Sequence, residues 1–285
     1  MTKQSMDKDE LGDRMKEYEG VEAQQRFMPL VPIVARLDGR SFSNFTRGMD
    51  RPFDSRFSHC MIETTCFLVE STNACIGYTQ SDEITLVWHQ TDRQSEIWFA
   101  GRKQKMVSQL AAQATLRFNY LVGQYLPDYA LRYPTFDARV WQVPNRTEAT
   151  NAVLWREWDA TKNAISMAAS HYFSPKELHG LNGKQRVAKL LENGVVFGDY
   201  PDFFKRGTFV QRRVTSEPFT TEEIESLPPK HAARSNPNLL VERSYIRQIS
   251  MPSFKTVVNR EDVIFNGANP VVITDAFSDV ETVDE

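Results

Sequence analysis

Apolar positions recur along the chain in two rhythms, one helical and one alternating. Leu11, Met15, Tyr18 and Val21 fall at helical spacing among charges, which predicts a surface helix over residues 7–22. The β-branched run Val31-Pro32-Ile33-Val34-Ala35-Arg36-Leu37 predicts a buried strand ending in a turn at Asp38-Gly39. A helix is expected from Asp54-Ser55, either of which can cap it, to about Asn73, with Phe57, Met61, Thr65 and Leu68 on one face. Residues 74–79 and 84–88 then read as short strands joined by the polar connection Gln80-Ser81-Asp82-Glu83. Residues 96–99 read as a further edge strand. Met106, Leu110, Ala114, Phe118 and Val122 recur every four residues, a long helix from Arg102 to about Tyr125. Residues 137–143 alternate and stop at Pro144, which makes them a strand.

This order, strand–helix–strand–strand–helix–strand, is the split βαβ arrangement of an α+β, ferredoxin-type core. It implies an antiparallel sheet backed by two helices, with the other sheet face free. Beyond Pro144 the pattern predicts helices at 155–173 and 183–192, with a capping box at Ser174-Pro175-Lys176-Glu177 between them. A strand is expected at 207–214, carrying Arg212 and Arg213, and a loop or linker at 215–242.

Composition changes the picture little. The 285 residues are 41% hydrophobic and 25% charged, as in ordinary globular chains, and no apolar run is long enough for a membrane span. Residues 1–20 lack the apolar segment of a secretory signal. The three cysteines, Cys60, Cys66 and Cys75, are too few for a disulfide framework and suit a reducing, cytoplasmic setting. The net charge of −3 looks unpromising for a nucleic-acid binder, but five acids and no base fall in the tail Asp275–Glu285. The remainder is close to neutral.

Two acidic turns carry the candidate chemistry. In the expected topology strands one and three are neighbours, so Asp38 and Asp82 can converge at one end of the sheet. Converging carboxylates repel unless cations lie between them, and an oxygen-only donor set favours Mg²⁺ over zinc. Two ions bridged by two carboxylates suit in-line phosphoryl or nucleotidyl displacement. Arg102, Lys103 and Lys105 open the long helix, where the dipole disfavours cations; a bound phosphate would resolve that conflict. Arg40 and Arg51 could serve the same polyanion. The five histidines show no metal-like spacing, and no Walker loop, nucleophile elbow or HExxH occurs.

The stretch Arg36-Leu37-Asp38-Gly39-Arg40-Ser41-Phe42-Ser43-Asn44-Phe45 resembles the first signature of the tRNA(His) guanylyltransferases. Arg51-Pro52-Phe53-Asp54 is similar to the family segment that follows. Tyr78-Thr79-Gln80-Ser81-Asp82-Glu83 resembles its second metal-binding signature, and Gly101-Arg102-Lys103-Gln104-Lys105 falls where the family holds triphosphate. Residues 136–140 and Lys205-Arg206-Gly207-Thr208 are similar to later landmarks, so the resemblance spans residues 30–214.

It implies a polymerase-palm-like core that adds nucleotides to RNA 5′ ends in the 3′–5′ direction. Carried over by position, Asp38, Gly39 (through its carbonyl) and Asp82 would bind two Mg²⁺, with Glu83 in support. Arg40, Ser41, Phe42, Ser43, Arg51, Asp54, Ser81, Arg102 and Lys105 would handle the nucleotide. GTP and ATP would be substrates, and Asn163, Lys205, Arg206, Arg212 and Arg213 would meet RNA. The resemblance also implies a homo-oligomer, a tetramer.

Of the polar motif linked to tRNA(His) recognition only Asn163 survives, within Asp159–Met167. The chain is therefore nearer the guanylyltransferase-like branch, which repairs truncated 5′ ends. The expected organisation is a helical extension (1–29), a palm-like core (30–145), a region completing the catalytic domain with a linker (146–242), and a C-terminal extension (243–285). A nucleotide cyclase on the same palm and an RRM-like RNA-binding module are the competing readings.

Overall fold

The computed structural model describes residues 8–236 and 238–272. Its centre is a six-stranded, wholly antiparallel sheet. The strands are β1 (Ile33–Arg40), β2 (Ile76–Gln80), β3 (Glu83–Trp88), β4 (Thr135–Gln142), β5 (Thr208–Pro218) and β6 (Leu240–Ile249). Their order is β4-β1-β3-β2-β5-β6, so the expected four-strand core stands at one side and is widened by two strands.

The helices are α1 (Lys8–Ala23), α2 (Ser55–Thr72), α3 (Lys103–Tyr125), α4 (Arg146–Tyr172), α5 (Gly183–Glu192) and α6 (Arg260–Asn266), with several single turns between them. Strand alternation sends Ile33, Ala35, Leu37, Ile84 and Leu86 to one face. There they pack on Met61 and Leu68 of α2 and Met106, Leu110 and Phe118 of α3. Fully burying a side chain of this size contributes about 1.5–3 kcal/mol, so this layer alone anchors the sheet.

The second sheet face is not free, contrary to the sequence expectation. Val34, Ile76, Tyr78, Val87 and Phe209 on that face are covered by Ala149, Val153 and Ala160 of α4 and by Phe254, Val257, Val263 and Ile264 of the C-terminal segment. The covering elements lie far downstream of the strands they cover, beyond the reach of any local pattern. Four further corrections have local causes. Asp38-Gly39 is not a turn: β1 runs on to Arg40 because β3 and β4 flank it on both sides as far as Asp38. Residues 96–99 form no strand, since Trp98–Gly101 coils into a single 3-10 turn with Phe99, Ala100 and Gly101 at positive φ. Helix α4 begins at Arg146, capped by the Asn145 side chain on the Glu148 N–H at 2.8 Å, rather than near Trp155. The polar stretch 215–242 is no linker: it holds the end of β5, helical turns at Thr221–Ser226 and Ala232–Ser235, and the start of β6. The acidic tail lies outside the described residues.

Candidate active site

The site is built where β1 ends and β3 begins. Asp38 stands opposite Glu83 of β3 and Asp137 of β4, so the three share the sheet face that α4 covers. Asp82 precedes Glu83 in the two-residue turn Ser81-Asp82, with Ser81 at φ 48°. The Gly39 N–H donates to the Asp82 carbonyl at 3.1 Å, tying the two acidic segments together. The Phe42 ring lies 2.4 Å from where a Cβ on residue 39 would sit, so only glycine lets the strand pass under that ring. Phe42 is itself fixed by Phe45, Phe57, Phe118 and Phe136, with ring centroids 5.0–6.1 Å away. The turn that carries Ser41 and Ser43 is therefore moored in the core.

Burial, and then the charge of Asp38, push the Asp82 carboxyl above its ordinary range. The convergence of the two carboxylates itself rests on the register that sets Asp38 opposite Glu83 and on the Gly39–Asp82 backbone bond. Glu83 behaves differently. Burial raises it too, but Arg156 of α4 donates Nε and Nη2 to its two oxygens at 2.5 and 2.9 Å, and Arg36 lies 3.9 Å away. Arg156 also donates to Asp159 at 2.7 Å. Both oxygens of Glu83 are thereby occupied, which leaves Asp38, Asp82 and the Gly39 carbonyl as the candidate ligands. Among the described residues no group of three or more His, Cys, Asp or Glu side chains gathers around a metal position. The donor set is two carboxylates plus backbone, all oxygen. It fits Mg²⁺, which keeps several waters and takes one or two carboxylates.

Beside Gly39 and Asp82 opens a cleft of about 480 Å³, within the size range of small-ligand sites. Gly39, Ser41, Phe42 and Ser43 form one wall, Arg51, Pro52, Phe53 and Asp54 a second, and Gln80, Ser81 and Asp82 the floor. Ala160, Asn163, Ala164 and Met167 of α4 overhang it, and Phe203 and Phe204 close one side against Phe53 at 5.2 and 4.9 Å. An aromatic flank of this kind can stack a nucleobase while the hydroxyl-rich wall meets sugar and phosphate.

The other sequence candidates fall elsewhere. Asp54 lines the cleft but is the buried N-cap of α2, accepting from the Arg56 N–H at 2.9 Å and clamped by the Arg56 guanidinium at 2.6 Å, which holds its carboxyl below the usual range. Arg40 is exposed at the end of β1. Arg102 and Lys105 sit at the opposite end of the sheet: Arg102 bridges to Arg26, and Lys103 N–H bonds the Gln25 carbonyl, beside the start of β1. Five residues of strand, about 17 Å, separate that end from Asp38. Within one chain they do not meet the carboxylates. Lys205 and Arg206 both pair with Asp202. Arg212 and Arg213 project from opposite faces of β5, Arg212 to Ser244 and Arg213 to the Ala268 carbonyl. Of the RNA candidates, only Asn163 lines the cleft.

Arg156 and Glu157 are the functional-looking residues that sequence reading missed. Val153, Arg156, Glu157, Ala160 and Ala164 follow the inward spacing of α4, so charge at two buried positions was a visible signal. Glu157 is 2% exposed and accepts the Phe254 N–H at 2.9 Å, pinning the C-terminal segment over the sheet. Burial pushes its carboxyl up to about 7, against those N–H groups and Arg206. The unfolded chain ionises near 4.5, so the stabilising protonated form is complete below that pH and lost as pH rises through 7. Integrated, the loss is about 3 kcal/mol. Thermal unfolding should therefore show Glu157→Gln more stable than wild type at pH 8, with the advantage gone by pH 4. A constant offset between the two proteins would contradict it.

Comparison with known proteins places these features in context. The profile of the family described as "Thg1: tRNAHis guanylyltransferase" matches residues 12–144. An uncharacterized protein of Acanthamoeba polyphaga mimivirus is 31% identical over 227 residues, covering 72% of this chain and 77% of that one. A probable tRNA(His) guanylyltransferase of Mus musculus is 27% identical, covering 70% and 71%. Among solved structures, a bacterial tRNA(His) guanylyltransferase (Thg1)-like protein in complex with ATP superposes with TM-score 0.67 and 35% identity, covering 70% of this chain and 88% of that one. A GTP complex of such a protein gives 0.66 and 28%, covering 87% and 94%.

Proposed function

The chain belongs to the tRNAHis guanylyltransferase (Thg1) family of nucleotidyltransferases, and we propose that it adds nucleotides, GTP foremost, to tRNA 5′ ends in the 3′–5′ direction. The observation that carries this reading is Asp82 on the floor of a nucleotide-sized cleft, with Asp38 on the adjoining strand end and close enough for its charge to raise the Asp82 carboxyl. Asp38, Asp82 and the Gly39 carbonyl would hold two Mg²⁺. When bound, these ions acidify the attacking 3′-hydroxyl and neutralise the departing pyrophosphate.

The remaining roles belong to the chain itself. Phe53, Phe203 and Phe204 flank the base. Ser41, Ser43 and Ser81 supply hydroxyls to sugar and phosphate, and Arg51 meets the outer phosphate. Holding the incoming 3′-hydroxyl in line with an activated 5′ end converts a bimolecular encounter into a positioned one. The arginine-clamped Glu83 fixes the strand that carries Asp82.

Asn163 alone represents the polar motif associated with tRNA(His), which favours repair of truncated 5′ ends over a single guanylate addition to tRNA(His). Offering full-length tRNA(His) and 5′-truncated tRNAs with labelled nucleoside triphosphates tests this. Extension of truncated tRNAs, directed by the opposing strand, is the expected result. Extension of tRNA(His) alone would refute the repair reading, and cyclic product without RNA would refute the whole.

A further inference from the structure

A second cavity of about 400 Å³ adjoins the cleft, lined by Arg51, Pro52, Ser166, Met167, Ser170 and His171. It shares Arg51, Pro52 and Met167 with the first, so one wall separates the two. Their charges differ in kind. Acidic residues Asp50, Asp54 and Asp82 line the first beside Arg51, with Asp50 and Asp54 against Arg56, whereas the second has no acid and takes its ionisable groups from Arg51 and His171. Behind it, Arg186 donates to the Ser166 hydroxyl at 2.8 Å and adds positive charge to that wall. A chamber with the Asp82 carboxylate on its floor admits phosphate only with cations between, while a cationic, hydroxyl-lined one binds phosphate directly.

Shape points the same way. Ser166 and Ser170, and Met167 and His171, are i,i+4 pairs that form one ridge along the last turns of α4. Ser170 and His171 are exposed, so the cavity is a trough open at its outer end, suited to a chain that continues rather than to an enclosed small molecule.

We propose that this trough seats the phosphodiester backbone of the acceptor RNA next to its reacting 5′ end, with Arg51 and His171 on the phosphates and Arg51 reaching both substrates. The inference rests on the reading of the enzyme as one that joins a nucleotide to RNA. It adds where the second substrate lies and which residues hold it.

The test uses the full chain without catalysis. Wild type, His171→Glu and Ser170→Glu are titrated, by fluorescence anisotropy, into a labelled 5′-phosphorylated tRNA acceptor-stem RNA and, separately, a fluorescent GTP analogue. Both positions are exposed, so folding is preserved, and circular dichroism verifies it. Each variant should weaken RNA binding by about tenfold or more and flatten its salt dependence, with GTP affinity held within about twofold. RNA affinity within about twofold of wild type in both variants would overturn the proposal. Weakened GTP binding with RNA binding intact would also overturn it, and would make the trough a second nucleotide site. Binding is read apart from turnover. A wild type that binds RNA and GTP but joins nothing would refute the proposed function and leave the trough assignment to be judged on RNA affinity alone.

Discussion

Asp38→Asn and Asp82→Asn should each lower nucleotide addition about a thousandfold, with the fold intact. A thousandfold is about 4 kcal/mol of transition-state stabilisation, the order expected when one anchor of a charge-neutralising site is removed. The stability readout separates this from a folding defect. In the free protein Asp82 carries a burial penalty compounded by the charge of Asp38, so removing either carboxylate relieves repulsion. Both variants should melt at or slightly above the wild-type temperature without Mg²⁺. Millimolar Mg²⁺ should raise the melting temperature of wild type and not of the variants, because a ligand stabilises only the state that binds it. Retained turnover in either variant, or an unchanged Mg²⁺-dependent shift, would refute the two-carboxylate assignment. Ser81→Ala removes one hydroxyl, which donates to Asp82 at 3.2 Å, and no charge, so it should lower addition far less than either aspartate variant.

The four-strand core and the convergence of Asp38 with Asp82 were legible because both depend on local pattern and on one topological rule. A β-branched apolar run located β1, the polar connection at residues 80–83 located β3, four-residue spacing located α3, and the neighbour relation of strands one and three did the rest. Two things were not legible. The first is what covers the second sheet face. Phe254, Val257, Val263 and Ile264 come from a stretch with no strong periodicity, and only the three-dimensional path lays them on Tyr78 and Phe209. Once that face is covered, an RRM-like module loses the open sheet on which it would stack bases. The second is which charges work alone and which are paired. Glu83 and Asp82 are adjacent in sequence and similar in chemistry. One is clamped by Arg156 from α4, and the other faces the cleft. The same blindness applied to Arg212 and Arg213, adjacent cations that alternation sends to opposite faces, where each tethers a different part of the chain. Sequence supplied charge; partners decided its use.

Arg156→Met should be the most destabilising single substitution at the site. Arg156 is 6% exposed and Glu83 7%, and the guanidinium meets both carboxylate oxygens. Removing one partner of such a pair leaves an unpaired buried charge and costs about 3–5 kcal/mol. The pH dependence identifies the cause. Burial already raises Glu83 in spite of Arg156, and without the guanidinium it must rise further. A raised carboxyl stabilises the folded chain only while protonated, so the defect of Arg156→Met should shrink at acidic pH and grow as pH rises. Replacing both partners, as Arg156→Met with Glu83→Gln, should restore most of the lost stability, since neither substitution leaves its charged partner behind. Denaturant unfolding of wild type, both single variants and the double variant gives the coupling energy directly. Purely additive losses would mean that the pair does not act as a unit. The restored double variant then separates two roles for Glu83. If it serves to hold β3 and with it Asp82, the double variant should keep measurable Mg²⁺-dependent addition. If Glu83 instead takes part in the chemistry, the stable double variant should be as inactive as Asp82→Asn. The bidentate clamp on its oxygens favours the first outcome.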